Sequence, residues 1–122
     1  MEQEHKDLLL KDLCARLPYG IKASYYGAEE ECETWDEIEG ITRDGYVDIG
    51  QYNLPIEAVK PYLFPLSSMS EEEIKEYKHL VAFSGSPNGS ANFIDWLNAH
   101  RFDYRGLIPM GIAINATGLN IY

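Results

Sequence analysis

Lys60-Pro61-Tyr62-Leu63-Phe64-Pro65-Leu66-Ser67-Ser68-Met69-Ser70-Glu71-Glu72-Glu73 divides the chain into two halves of different character. Pro61 and Pro65 each lack a backbone donor and hold a fixed φ, so no helix runs through them and a central strand is disfavoured. The stretch ends in a dense helix-start signal. Ser70 suits an N-cap, Glu73 follows three residues on to complete a capping box, and Met69 can staple onto Ile74. Glu71, Glu72 and Glu73 also sit at the positive end of the helix dipole. Before this stretch, after one helix, the chain reads as short strands. After it the chain reads mainly as helix.

Working back towards the N-terminus, Leu54, Ile56 and Val59 feed a short strand or single helical turn into the prolines. Val47 and Ile49 share a face of a strand from Tyr46 to Ile49, and Arg43-Asp44-Gly45 ahead of it supplies the positive φ of a hairpin turn. Cys32 to Thr42 reads as the partner strand. Its apolar residues Trp35, Ile38 and Ile41 come every third position where a strand needs every second, so a bulge or break is expected near Asp36 or Glu37. Trp35 and Tyr25 are expected to be buried. Gly27 to Glu31 reads as an acidic loop and Ile21 to Tyr26 as a half-buried strand. Leu8, Leu9, Leu10, Leu13, Cys14 and Leu17 repeat at helical steps, which predicts an amphipathic helix from about Glu4 to Arg16, ended by Pro18.

Forward of the prolines, the second helix runs to about Phe83 and is expected to bury Ile74, Tyr77, Leu80 and Val81. Ser84 to Ser90 is a run of turn formers that reads as a loop. A third helix over about Ala91 to Ala99 presents Phe93, Trp96 and Leu97, and a further helical turn is expected within His100 to Ile108. Ile112-Ala113-Ile114 reads as a last strand, followed from Asn115 by a tail that is either loose or docked through Ile121 and Tyr122. The expected architecture is a single α+β domain over residues 1–122. It comprises an N-terminal helix, a small twisted antiparallel sheet (SH3-like or meander), and two or three C-terminal helices packed on it.

Such a chain is long enough to bury a core without metal or disulfide. No apolar run approaches the ~20 residues of a membrane span. The polar, acidic N-terminus lacks the pattern of a secretory signal. Cys14 and Cys32 read as reduced fillers of a cytoplasmic protein. The net charge of −10 is uneven: residues 27–57 hold ten acids against one base, Arg43. Such a field disfavours direct contact with nucleic acid or anionic membrane, and either attracts a basic protein partner or simply keeps a solvated sheet face soluble.

No phosphate-binding glycine loop, zinc-protease motif or calcium-loop spacing occurs, and no cofactor is expected. His100 stands near Asp95 and Asp103 in sequence, but a histidine at a helix C-terminus is satisfied by the dipole and a carboxylate without any catalytic role. Two constellations remain. Tyr26, Trp35, Asp36, Glu37, Glu39 and Tyr46 place rigid aromatics among carboxylates, the composition of a protein-binding face. Trp96, Arg101, Tyr104 and Arg105 bring two arginines beside aromatics, which can grip phosphate and stack a base, or can pair with acids in a structural network.

At Lys11 to Gly20, at Lys60 to Glu73 and at Asp95 to Ile108 the chain resembles a family of small uncharacterised proteins encoded by bacteriophages and prophages of gut anaerobic bacteria. The three blocks cover about a third of the chain. The resemblance implies a cytosolic accessory protein made during infection or lysogeny, acting on host regulation or as counter-defence, and it implies no activity or site residue. The expected function is therefore non-enzymatic binding of a basic host or phage protein through the acidic, tyrosine-rich sheet. The alternatives are sequestration of a nucleotide-type defence signal at the arginine-aromatic site, in a homo-oligomer interface, and an enzyme of unrecognised type.

Overall fold

A computed structural model describes residues 2–25, 34–83 and 87–122. The expected acidic loop, Tyr26, Cys32 and Ser84 to Ser86 lie outside the described residues. Helix α1 (Gln3–Arg16) leads into a one-turn 3-10 helix at Leu17–Tyr19, then β1 (Lys22–Tyr25), β2 (Thr34–Ile41), β3 (Tyr46–Ile49) and β4 (Tyr52–Pro55). A second single turn, Ile56–Ala58, precedes β5 (Val59–Leu63). After a third at Leu66–Ser68 come α2 (Glu71–Phe83), α3 (Pro87–Ala99) and the short β6 (Ile114–Asn115).

The six strands form one sheet in the order β4-β3-β2-β1-β5-β6. β1 to β4 are a meander of antiparallel neighbours, β5 pairs antiparallel with the other edge of β1, and β6 runs parallel to β5. The α+β architecture read from the sequence is the one observed. Its core joins Leu9 and Leu13 of α1 to Ile21, Ala23, Ile38, Val47, Ile49, Val59 and Leu63 of the sheet region, with Leu107, Ile112 and Ala113 closing it. Val47 and Ile49 reach this core from one face of β3, as alternation requires.

Several expectations need correction. Pro61 does lie in an interior strand. β1 pairs only with Val59 to Pro61, and β6 pairs with Tyr62 and Leu63. Beside the proline, β5 is therefore locally an edge, and its missing donor costs no ladder bond on that side. The bulge in β2 falls later than expected: the register shifts between Ile38 and Gly40, leaving Glu39 as the extra residue. Residues 87–90 are helical, because Pro87 opens α3 where a missing amide is harmless. Of the two readings of the tail, the docked one holds: Ile121 is buried and the Tyr122 hydroxyl donates to Tyr62 O at 2.9 Å.

The handover at Ser70 is built as a reciprocal cap. The Ser70 amide donates to Glu73 Oε1 at 2.9 Å and the Glu73 amide to Ser70 Oγ at 3.2 Å. Contrary to expectation, α2 then buries little: Ile74 and Val81 are 39% and 44% exposed, and Tyr77 and Leu80 half-buried.

Candidate functional site

β2 carries the acidic constellation. Trp35 and Glu37 are two residues apart and so project from one face, beside Lys22 of β1, whose register partner is Glu37. Trp35 is 46% exposed rather than buried, because the core side of β2 is taken by Ile38. Lys22 Nζ lies 5.2 Å from the Trp35 ring centroid and 5.6 Å from that of Tyr122, and donates to Ile121 O at 2.8 Å. One ammonium thus fixes the Trp35 ring against the docked tail.

Next to this ring an open depression of about 540 Å³ is lined by Leu17, Pro18, Tyr19, Gly20, Glu37, Ile38 and Glu39. The turn after α1 makes one wall and the β2 bulge the other. Gly20 has φ +82, and a Cβ there would stand 2.9 Å from Glu37 Oε1 and 3.6 Å from Arg101 Nη2. The positive φ favours glycine there, and its missing side chain leaves room for that carboxylate. Partial desolvation, and then the Asp95 carboxylate of α3, raise the pKa of the Tyr19 hydroxyl at the rim. The depression therefore presents carboxylates and an aromatic rim, the surroundings that accept a cation.

The other acidic-set residues lie elsewhere. Asp36 Oδ1 accepts from the Glu37 amide at 2.7 Å, and Asp36 projects from the opposite face of β2 to Trp35. Tyr46, 43% exposed, lines a separate groove of about 340 Å³ between α1, the β2–β3 turn and the end of β4, with Lys6, Arg43 and Glu57. Tyr26 is outside the described residues.

The arginine-aromatic residues divide into three separate arrangements. Trp96 Nε1 donates to Glu76 Oε2 at 2.8 Å, and its ring lies tilted against His100 at 4.4 Å and stacks on Phe102 at 5.6 Å. Arg101 donates through Nε to Gly20 O at 2.9 Å and through Nη2 to Tyr19 O at 3.2 Å, with its guanidinium 4.0 Å over the Tyr122 ring. Arg105 Nε meets Asp12 Oδ1 at 3.2 Å and its Nη2 donates to the Tyr104 hydroxyl, which donates to Asn98 Oδ1. Both arginines are engaged with acceptors of their own chain. Arg101 instead secures the turn that walls the acidic depression.

Arg101 does so at a conformational cost. Its φ is 61, and the bonds Phe102 N to Leu97 O and Arg101 N to Asn98 O form the left-handed cap that ends α3. Glycine is usual there, so the side chain is what holds an arginine in place.

Tyr19 and Lys22 belong to this surface without having been singled out in the sequence, and Tyr122 joins it from the tail. Tyr19 lies in a Pro-Tyr-Gly turn, a place where an aromatic is exposed by geometry. Lys22 and Tyr122 carry no local signal, since their meeting depends on the tail returning across the sheet. Among the described residues no group of three or more histidine, cysteine or acidic side chains could hold a metal, and no helix is long and apolar enough to cross a membrane.

Compared with protein-family models, curated proteins and solved structures, the chain matches none of them.

Proposed function

We propose that this chain is a non-catalytic binding module that engages a basic protein through the Trp35 face of β2. One observation carries the proposal: Trp35 is 46% exposed on a strand next to a depression walled by Glu37 and Glu39. A tryptophan fixed by Lys22 offers a large contact area with little entropy left to lose, and the carboxylates beside it attract lysine or arginine. The partner's basic side chain enters the depression while an apolar group covers the indole. The setting implied by the resemblance, a phage or prophage accessory protein acting on host regulation or defence, belongs to the same proposal. Nucleotide capture gains no support from the arginines, because each already donates through Nε and Nη2 to acceptors of its own chain and the two lie in separate arrangements.

Capture from a lysate of gut anaerobic bacteria tests the proposal, with the wild type and Trp35→Ala as parallel baits at low and high salt. A basic protein held by the wild type at low salt, released by high salt and absent from the Trp35→Ala bait is expected. Identical recovery on both baits contradicts it.

A further inference from the structure

Helix α2 has no buried residue from Glu71 to Ala82. A helix of this length ordinarily hides an apolar stripe. Here Tyr77 leans on Phe93 and Trp96 of α3, with ring centroids 5.6 and 6.5 Å apart, while Ile74 and Val81 stay 39% and 44% exposed. Seven residues of separation place Ile74 and Val81 on one face, about 10 Å apart along the axis. Glu71 and Lys78 flank that stripe with the same spacing. Neither enters an ion pair among the described residues, whose pairs involve Lys6–Glu57, Asp12–Arg16 and Asp12–Arg105.

We propose that α2 is the surface on which two copies of this chain associate, antiparallel, about a twofold axis at Ile74. Glu71 lies three residues before Ile74 and Lys78 four after it. Reversing one helix about Ile74 therefore brings Glu71 of each copy level with Lys78 of the other, to within one residue. Each charge pair forms twice, as a twofold interface requires. Ile74 packs on its counterpart at the axis. Val81 extends the apolar stripe towards the start of the second copy's helix. A parallel twofold pair would carry Glu71 and Lys78 to opposite edges of the seam, level with Ser70 and Tyr77 of the other copy, and would form neither pair. The charges thus select a second copy in one orientation. This surface is separate from the Trp35 face, so a dimer offers two acidic binding faces at once.

Sedimentation equilibrium across a concentration series tests the proposal on four proteins: wild type, Ile74→Glu, Glu71→Lys and the double exchange Glu71→Lys/Lys78→Glu. Circular dichroism confirms that each is folded. The wild type is expected to reach dimer mass and Ile74→Glu to remain monomeric. Glu71→Lys should dissociate roughly tenfold more readily, and the double exchange should restore wild-type affinity, because it rebuilds both pairs in reverse. A wild type that stays monomeric at every concentration overturns the proposal, as does a dimer indifferent to Ile74→Glu. A double exchange no tighter than Glu71→Lys alone overturns it equally. If Ile74→Glu fails to fold, the charge series decides without it.

Discussion

Asp12 and Arg16 form an ion pair on one turn of α1 that solvent does not reach, with Arg16 Nε 2.8 Å from Asp12 Oδ2. Arg16 Nη2 also donates to Phe102 O at 2.7 Å, and Arg105 joins Asp12 from outside the pair. The cluster ties the first helix to the segment after α3. Among the described residues Arg16 Nη1 has no hydrogen-bond partner, so the buried guanidinium depends heavily on Asp12. Asp12→Ala should therefore cost about 3–5 kcal/mol in chemical denaturation, since it strands a buried positive charge. Replacing both with apolar residues, as in Asp12→Leu/Arg16→Met, should cost less than that single change. A loss below about 1 kcal/mol for Asp12→Ala would show the pair to be solvated.

The reciprocal cap at Ser70 and Glu73 sets the start of α2. Ser70→Ala should cost about 1 kcal/mol and lower the melting temperature by several degrees. Ser68→Ala removes instead a hydroxyl that donates to Pro65 O at 2.7 Å in the preceding turn. Its effect should be additive with Ser70→Ala, whereas Glu73→Ala and Ser70→Ala should not add, because they dismantle one device.

Arg101 balances an unfavourable backbone against a useful side chain. Arg101→Ala loses the bonds to Tyr19 O and Gly20 O and keeps the left-handed φ. Arg101→Gly loses the same bonds and relaxes the backbone. Thermal melts should find Arg101→Gly the more stable variant by about 1 kcal/mol. The reverse order would mean that the cap opens once the arginine is gone.

Tyr122 gives alkaline stability a distinct signature. Although 38% of the residue is exposed, its hydroxyl turns inward to Lys22 and Tyr62, and burial raises its pKa from 10.0 to about 12. The folded chain holds this proton where the unfolded chain has released it, so the contribution is intact below pH 10 and fades as pH rises towards 12. Denaturation midpoints should fall over that window in the wild type and fall less steeply in Tyr122→Phe. Parallel slopes would place the hydroxyl in water.

These features differ in how far the sequence reveals them. The Ser70 cap is legible because all of its parts lie within four residues. The β2 bulge is legible from the spacing of Trp35, Ile38 and Ile41, but its position at Glu39 depends on where β3 joins. Asp12 and Arg16 look like surface charges, yet Leu9, Asp12, Leu13 and Arg16 are spaced three, one and three apart and form one buried helical stripe. Trp35 looks like core because its exposure depends on which face Ile38 claims. Tyr122 looks loose because its partners Lys22 and Tyr62 are distant in sequence, and a returning tail leaves no periodic trace. What is local could be read; what depends on meetings across the sheet could not.

The account rests most directly on Trp35 and the carboxylates beside it. The decisive measurement is the affinity of a captured basic partner, by titration calorimetry at rising salt, for the wild type, Trp35→Ala and Glu37→Gln/Glu39→Gln. Trp35→Ala should weaken binding by at least about tenfold at every salt concentration, the loss expected of a central aromatic anchor. The double glutamine variant should weaken it mainly at low salt and flatten the salt dependence. Affinity unchanged in all three proteins, with a salt dependence that none of the substitutions alters, would contradict the assignment of this face as the binding surface.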